Sequence, residues 1–239
     1  MSCLGAKKTT IGQSSSLARL SAASEVLLLI FFFFLMAWAI PGAHNLSVDV
    51  RFYASLSVIT ALFTLTIFSH LSYEENFTDL GFGKENFWQA VEILALPVFL
   101  LALAMVIIGS NLGTVYIKRK ILWQFLGIPF WGLIQQYLLQ SIINRRLQII
   151  FGKGWLSISL TAAIFALVHL PNPTLAIATL IAGFIWAYSF QKAQNLYPIA
   201  LSHGLLSTLF ATFTPKWLLP NMVVGYGYLV KVGWVSANY

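Results

Sequence analysis

An all-α, polytopic membrane bundle of seven or eight transmembrane helices is the fold this sequence predicts, and three observations predict it. Of the 239 residues, 59% are hydrophobic and only 9% are charged, against about 25% charged in an ordinary soluble domain. The apolar residues, with a mean hydropathy of +0.80, collect in runs that approach the roughly 20 residues a helix needs to cross a bilayer. No stretch shows the alternation, over about ten residues, that marks an outer-membrane barrel strand. The formal net charge of +7 lies mainly in tails and short loops. There it orients the chain and meets the lipid bilayer, which argues against nucleic acid as a partner. Cys3 is the only cysteine, so no intrachain disulfide can form. Its position beside Lys7 and Lys8, ahead of the first apolar run, makes it a candidate for acylation.

The elements follow in order. Residues 1–20 are polar and rich in Ser and Thr and read as a cytoplasmic tail. Residues 21–78 supply two spans, 21–40 and 52–71, the first ended by Pro41 and Gly42. Ala37, Trp38 and Ala39 also fit a signal-peptidase site, so a cleaved signal is the alternative for the first run. An acidic loop then leads to a third span, 87–108, which carries Glu92 near its start, read as an interfacial side chain that snorkels to the headgroups. Residues 79–214 form the expected membrane core. Its remaining spans are 121–143, 155–170 (stopped by Pro171 and Pro173), 174–190 and 198–213, with Pro198 in the first turn of the last. Residues 215–239, with Pro220, Gly225, Gly227 and Gly233, read as a broken helix or re-entrant segment. Arg145 and Arg146, placed in a loop, together with the basic tail, put the N-terminus in the cytoplasm, whereas the Lys118–Lys120 cluster argues the other way. The expected location is a multi-pass position in a bacterial-type plasma membrane or a thylakoid-like membrane.

Residues 131–146, WGLIQQYLLQSIINRR, set the functional question. Gln136, Gln140 and Asn144 recur every four residues, with Gln135 beside the first, and on a helix they form one polar stripe. An amide without a partner in hydrocarbon costs on the order of 4 to 8 kcal/mol, so the stripe must face the bundle. The downstream candidates to meet it are His169 and His203. All seven carboxylate side chains lie at or before Glu92, so chemistry in the C-terminal half is expected to proceed without a nearby Asp or Glu.

The order and spacing of these residues resemble the CaaX protease and bacteriocin-processing family of intramembrane endopeptidases, over about residues 79–214. That family's pattern is Glu-Glu-x-x-x-Arg, then Phe-x-x-x-His, then His-x-x-x-Asn or Asp. The matching positions are Gln135, Gln136 and Gln140, then Phe165 and His169, then His203 and Ser207. The flanking DLGFGK, AAIFALVHLPN and LIAGFIWAYSFQKAQNLYPIALSHGLLS are similar to the family's text as well. The resemblance implies a helical membrane core and an endopeptidase site in which a Glu activates water while His and Asn side chains stabilise the oxyanion. A metal-dependent scheme is also attached to the family.

The departures are as informative as the match. Gln stands at both carboxylate positions; it keeps the size and a carbonyl acceptor but has no useful basicity, so it cannot serve as general base. Gln140 stands for the motif Arg and Ser207 for the last Asn. Losing the carboxylates and the arginine together avoids an unpaired buried charge. Two His with no carboxylate or thiolate fall short of a zinc site's usual three protein ligands, so no metal or other cofactor is expected. The reading is therefore a protease-like protein with a degenerate site that binds or chaperones a membrane-protein or lipid-modified protein client. The alternative is an active endopeptidase with a divergent, His-based mechanism. Paired histidines ligating haem or chlorophyll make a third reading, which an absorption spectrum decides.

Overall fold

A computed structural model describes residues 16–115 and 121–236, the side chains of 121–126 excepted. The expectations for Cys3 and for the Lys118–Lys120 cluster lie outside the described residues. Among those described there is no strand, and continuous helical segments taken together make eight helices. These are α1 (Ser16–Phe34, continued by a π turn at Leu35–Ala39 and by Ile40–Gly42), α2 (Val48–Ser72) and α3 (Phe87–Asn111). Next comes α4, in which Ile121–Gln136, the π-helical Tyr137–Asn144 and Arg145–Phe151 follow without a break. The rest are α5 (Trp155–Leu167), α6 (Pro173–Lys192), α7 (Leu196–Phe213) and α8 (Gly225–Lys231).

The chain is an integral membrane protein built as a helical bundle. Among the described residues, five helices are long and apolar enough to cross a bilayer: Ser16–Gly42, Val48–Ser72, Phe87–Asn111, Pro173–Lys192 and Leu196–Phe213. At 1.5 Å per residue, the 13 residues of α5 rise about 20 Å, short of a hydrocarbon core of about 30 Å. In α4 the regular segment Ile121–Gln136 has 16 residues before the π turn intervenes.

Local chemistry starts the helices where they start. The Ser47 hydroxyl accepts from the Val50 N–H at 3.3 Å and Asp49 sits in the first turn of α2. Asn172 accepts from the Leu175 N–H at the head of α6, with Pro173 as its first residue. The reversal into α7 is tied to the loop before α3. The Leu196 N–H donates to the Gly81 carbonyl at 2.8 Å, and the Asn195 amide donates to the Gly83 and Glu85 carbonyls, each at 2.9 Å. Gly81 adopts φ +86°, and a Cβ there would lie 2.9 Å from the Phe190 ring, so only glycine fits. Within the bundle, α7 packs between α4 and α3, α5 lies along α6, and α1 packs on the Arg145–Phe151 segment. The contact of α4 with α7 is close because Gly204 faces Pro129, where a Cβ would come within 2.7 Å of the ring.

Arg145 and Arg146 do not lie in a loop. They continue α4, and Arg146 is fully buried. The physical reason is a set of partners from the N-terminal half. Arg146 donates to Glu25 at 2.7 Å, to the two Glu75 oxygens at 2.8 and 2.9 Å, and to Ser69 at 2.6 Å. Its guanidinium also lies 3.9 Å from the centre of the Tyr73 ring. Arg145 donates to Glu75 at 2.8 Å, and His70 bridges Glu75 at 2.7 Å and the Tyr137 hydroxyl at 2.6 Å. Two carboxylates thus meet two guanidinium groups, and the cluster fastens α1, α2 and the following loop to α4. Carboxylates do reach the C-terminal half, at the end of α4 beyond the amide stripe. Glu92, in contrast, is exposed on α3.

Burial pushes the Glu75 carboxyl up. The hydrogen bonds from His70 and Arg146 and the charges of Arg146 and Arg145 outweigh it, and the result is a fall from the ordinary 4.5 to about 2. A carboxyl lowered on folding contributes stability that is fully present above its unfolded value and is lost as pH falls through the folded one. Unfolding in detergent should therefore show stability declining between pH 4.5 and about 2. A melting temperature flat across that window contradicts the role given to Glu75. Arg146→Ala, which leaves Glu25 without its guanidinium and Glu75 with only Arg145 and His70, is expected to cost about 3–5 kcal/mol.

Candidate functional site

The polar stripe of α4 is a hydrogen-bonded ladder with a fixed direction. Its direction is set at one end by a group that can only donate, the Gly154 backbone N–H, which bonds the Gln191 side-chain oxygen at 3.0 Å. That bond orients Gln191 so that its NH2 donates to the Asn144 oxygen at 2.8 Å and to the Ser157 hydroxyl at 2.9 Å. Asn144 then presents its own NH2 to the Gln140 oxygen at 2.8 Å and to the Ala187 carbonyl at 3.4 Å. Gln140 donates to Gln136 at 3.1 Å, and Gln136 donates to Nδ1 of His203 at 3.1 Å. Gln148 joins from the far side, donating to the Asn144 oxygen at 3.1 Å. Gln136, Gln140 and Asn144 are wholly buried.

The backbone makes this register available. In an α-helix, positions four apart drift by about 40° around the axis at each step, and the wider turns of a π segment take up such drift. The π-helical stretch Tyr137–Asn144 spans the rungs at Gln140 and Asn144.

The ladder determines the state of His203. Nδ1 accepts from an amide, so the neutral ring carries its hydrogen on Nε2 and acts as a donor there. The imidazole is stacked on Trp186 (ring centres 4.6 Å apart, planes at 24°), and the Trp186 N–H is held by Ser202 at 2.9 Å. His169 is held differently. Its Nδ1–H donates to the Phe165 carbonyl at 2.6 Å, which leaves Nε2 with a free lone pair. The Phe165 ring lies edge-on to both imidazoles, at 4.7 Å from His169 and 6.0 Å from His203. Beside this group a cavity of about 360 Å³ runs between α3, α6 and α7. Trp186, His203 and Ser207 line it together with Leu101, Met105 and Phe210.

The structure therefore brings together Gln136, Gln140, His203 and Ser207, with Phe165 and His169 beside them. His169 does not meet the stripe, because its ring is turned to its own helix. Gln135 is half-buried and takes no part in the ladder. Sequence reading missed Gln148, which continues the four-residue spacing, and also Gln191, Gly154 and Trp186, which carry no local signal. Among the described residues no third His, Cys, Asp or Glu joins the two histidines. Two imidazoles with neutral amides are a poor donor set for zinc.

Removing a central rung separates the ladder from a merely polar surface. Gln140→Leu leaves the Gln136 oxygen and an Asn144 N–H without partners, at about 1–3 kcal/mol each. Its melting temperature in detergent should fall markedly, whereas Gln135→Leu should change stability by no more than about 0.5 kcal/mol. Equal effects of the two substitutions contradict the ladder.

Residues 120–209 match the family described as type II CAAX prenyl endopeptidase, Rce1-like. No curated protein and no solved structure matches the chain. The matched stretch covers α4 to α7 up to Leu209, and so contains the rungs of the ladder, Phe165, both histidines and Ser207. The part of the chain that builds this site is thus similar to the CAAX protease-like family over residues 120–209.

Proposed function

We propose that this protein binds a transmembrane or lipid-modified segment of another membrane protein in the manner of a protease of its family, and holds it without cutting it. The observation that carries the reading is the direction of the ladder. Where the resemblance implies a water-activating Glu, Gln136 offers an NH2 to His203 and its oxygen to Gln140. Neither group takes up a proton near neutral pH. His203, with its lone pair engaged at Nδ1, is a donor at Nε2 and no base. What remains is a neutral site with one imidazole N–H and the Ser207 hydroxyl at the wall of an apolar cavity. Those features suit the carbonyl groups and side chains of a segment lying in the membrane. A client held in this way is chaperoned or positioned.

One observation favours a second reading. The His169 Nε2 lone pair is free, so His169 as general base with the His203 N–H as oxyanion donor makes a carboxylate-independent endopeptidase. The two readings part in one experiment, with purified protein in nanodiscs, a panel of prenylated and membrane-spanning peptides, and the variants His169→Ala, His203→Ala and Gln135→Glu/Gln136→Glu. The binding reading expects peptide retention without cleavage, and retention that persists in His169→Ala. Cleavage by the wild type that falls by about 10² to 10⁴ in His169→Ala overturns it in favour of the second.

A further inference from the structure

The ends of α5 and α6 form a second cavity, of about 250 Å³, at the outer end of the ladder and away from the two histidines. Its walls are Lys153, Gly154, Trp155, Tyr188, Gln191 and Lys192, with Ile158 at the base. Three features bear on what it takes. First, it presents two exposed lysines, and every described carboxylate ion pair is made by His70, Arg145 or Arg146, so both ammonium groups are free to meet an external anion. Lys192 is poised over the Tyr188 ring, 5.8 Å from its centre. Second, the cavity sits at the start of α5, where the first N–H groups of a helix have no intrahelical acceptor and favour negative charge, that of Gly154 being already bonded to Gln191. Gly152 and Gly154 reverse the chain there at φ +82° and +145°, with open space where a Cβ would be. Third, the mouth lies at the level of the helix ends and carries an aromatic platform. Trp155, 64% exposed, stacks across both Phe184 and Tyr188, each with ring centres 5.7 Å away and planes within 15°.

We infer that this cavity binds the phosphate of an anionic lipid headgroup. The lysines and the helix start supply the anion recognition. Exposed Trp and Tyr at a helix end are the side chains that settle at the boundary between headgroups and hydrocarbon, which places the phosphate on a lipid rather than in bulk solution. The aromatic platform then lies along the upper acyl chains. The cavity shares Gly154 and Gln191 with the outer end of the ladder, but neither lysine bonds a rung.

The test uses the full-length protein in detergent and counts bound lipid by native mass spectrometry, titrating phosphatidylglycerol, phosphatidylcholine and inorganic phosphate separately. Wild type should take one phosphatidylglycerol in preference to phosphatidylcholine. Lys153→Gln/Lys192→Gln should lose about 10- to 30-fold of that preference, with phosphatidylcholine binding and melting temperature unchanged. Lys153→Arg/Lys192→Arg should keep the preference, which guards against a folding effect in the Gln variant. No preference in the wild type, or a preference that survives the Gln pair, overturns the inference. Displacement of the lipid by inorganic phosphate at equal concentration also overturns it, because the site then takes a free phosphate.

Discussion

The hydrogen bond from the Gly154 N–H to Gln191 gives the core of this protein its direction. A side-chain amide can be turned either way round, but a backbone N–H cannot, and at the wholly buried rungs Asn144, Gln140 and Gln136 no water is at hand to repair a mismatch. Once Gln191 is fixed, each rung has one arrangement that satisfies its neighbour, down to the His203 ring. A constraint at the loop between α4 and α5 thus decides the tautomer of a histidine on α7. That tautomer, in turn, decides whether the ring can accept a proton at its outer nitrogen.

Helix α4 carries two polar systems of opposite character. Gln136, Gln140 and Asn144 make a neutral chain in which every bond polarises the next. Arg145 and Arg146, one step further on, meet Glu25 and Glu75 in a charged cluster that secures the N-terminal helices. Keeping the charges at the end of the helix and the amides in its middle lets both be satisfied. A carboxylate in the middle, without an arginine at position 140, would be a buried charge short of a partner. Gln136 and Gln140 are therefore consistent as a pair, and changing either alone to the charged residue of the family pattern is expected to strain the fold.

Much of this was legible in the sequence, and what was not has a physical reason. The four-residue recurrence of Gln136, Gln140 and Asn144 fixes a helix face, and the ban on unpaired amides in hydrocarbon turns that face inward. His203 follows as a partner because it is one of the few polar residues in the later spans. Periodicity identifies faces, however, and not partners. Glu25 and Arg146 stand 121 residues apart and Gln191 and Asn144 47 apart, so nothing local announces either pair. Reading Arg145 and Arg146 as a loop also hid Gln148, since a helix taken to end before Arg145 has no rung after Asn144. The conformation of His169 was out of reach for a different reason. Whether a histidine at a helix end turns to its own backbone or to a neighbour depends on packing around Phe165, which spacing does not encode.

The most direct measurement is solid-state NMR of the protein in lipid, with 15N-labelled histidine and glutamine side chains. The account predicts that His203 has an unprotonated Nδ1 coupled through a hydrogen bond to the Gln136 amide, and a hydrogen on Nε2. His169 should show the reverse, with its hydrogen on Nδ1. A His203 ring protonated at Nδ1, or one with no coupling to Gln136, contradicts the directed ladder and the non-catalytic role proposed from it.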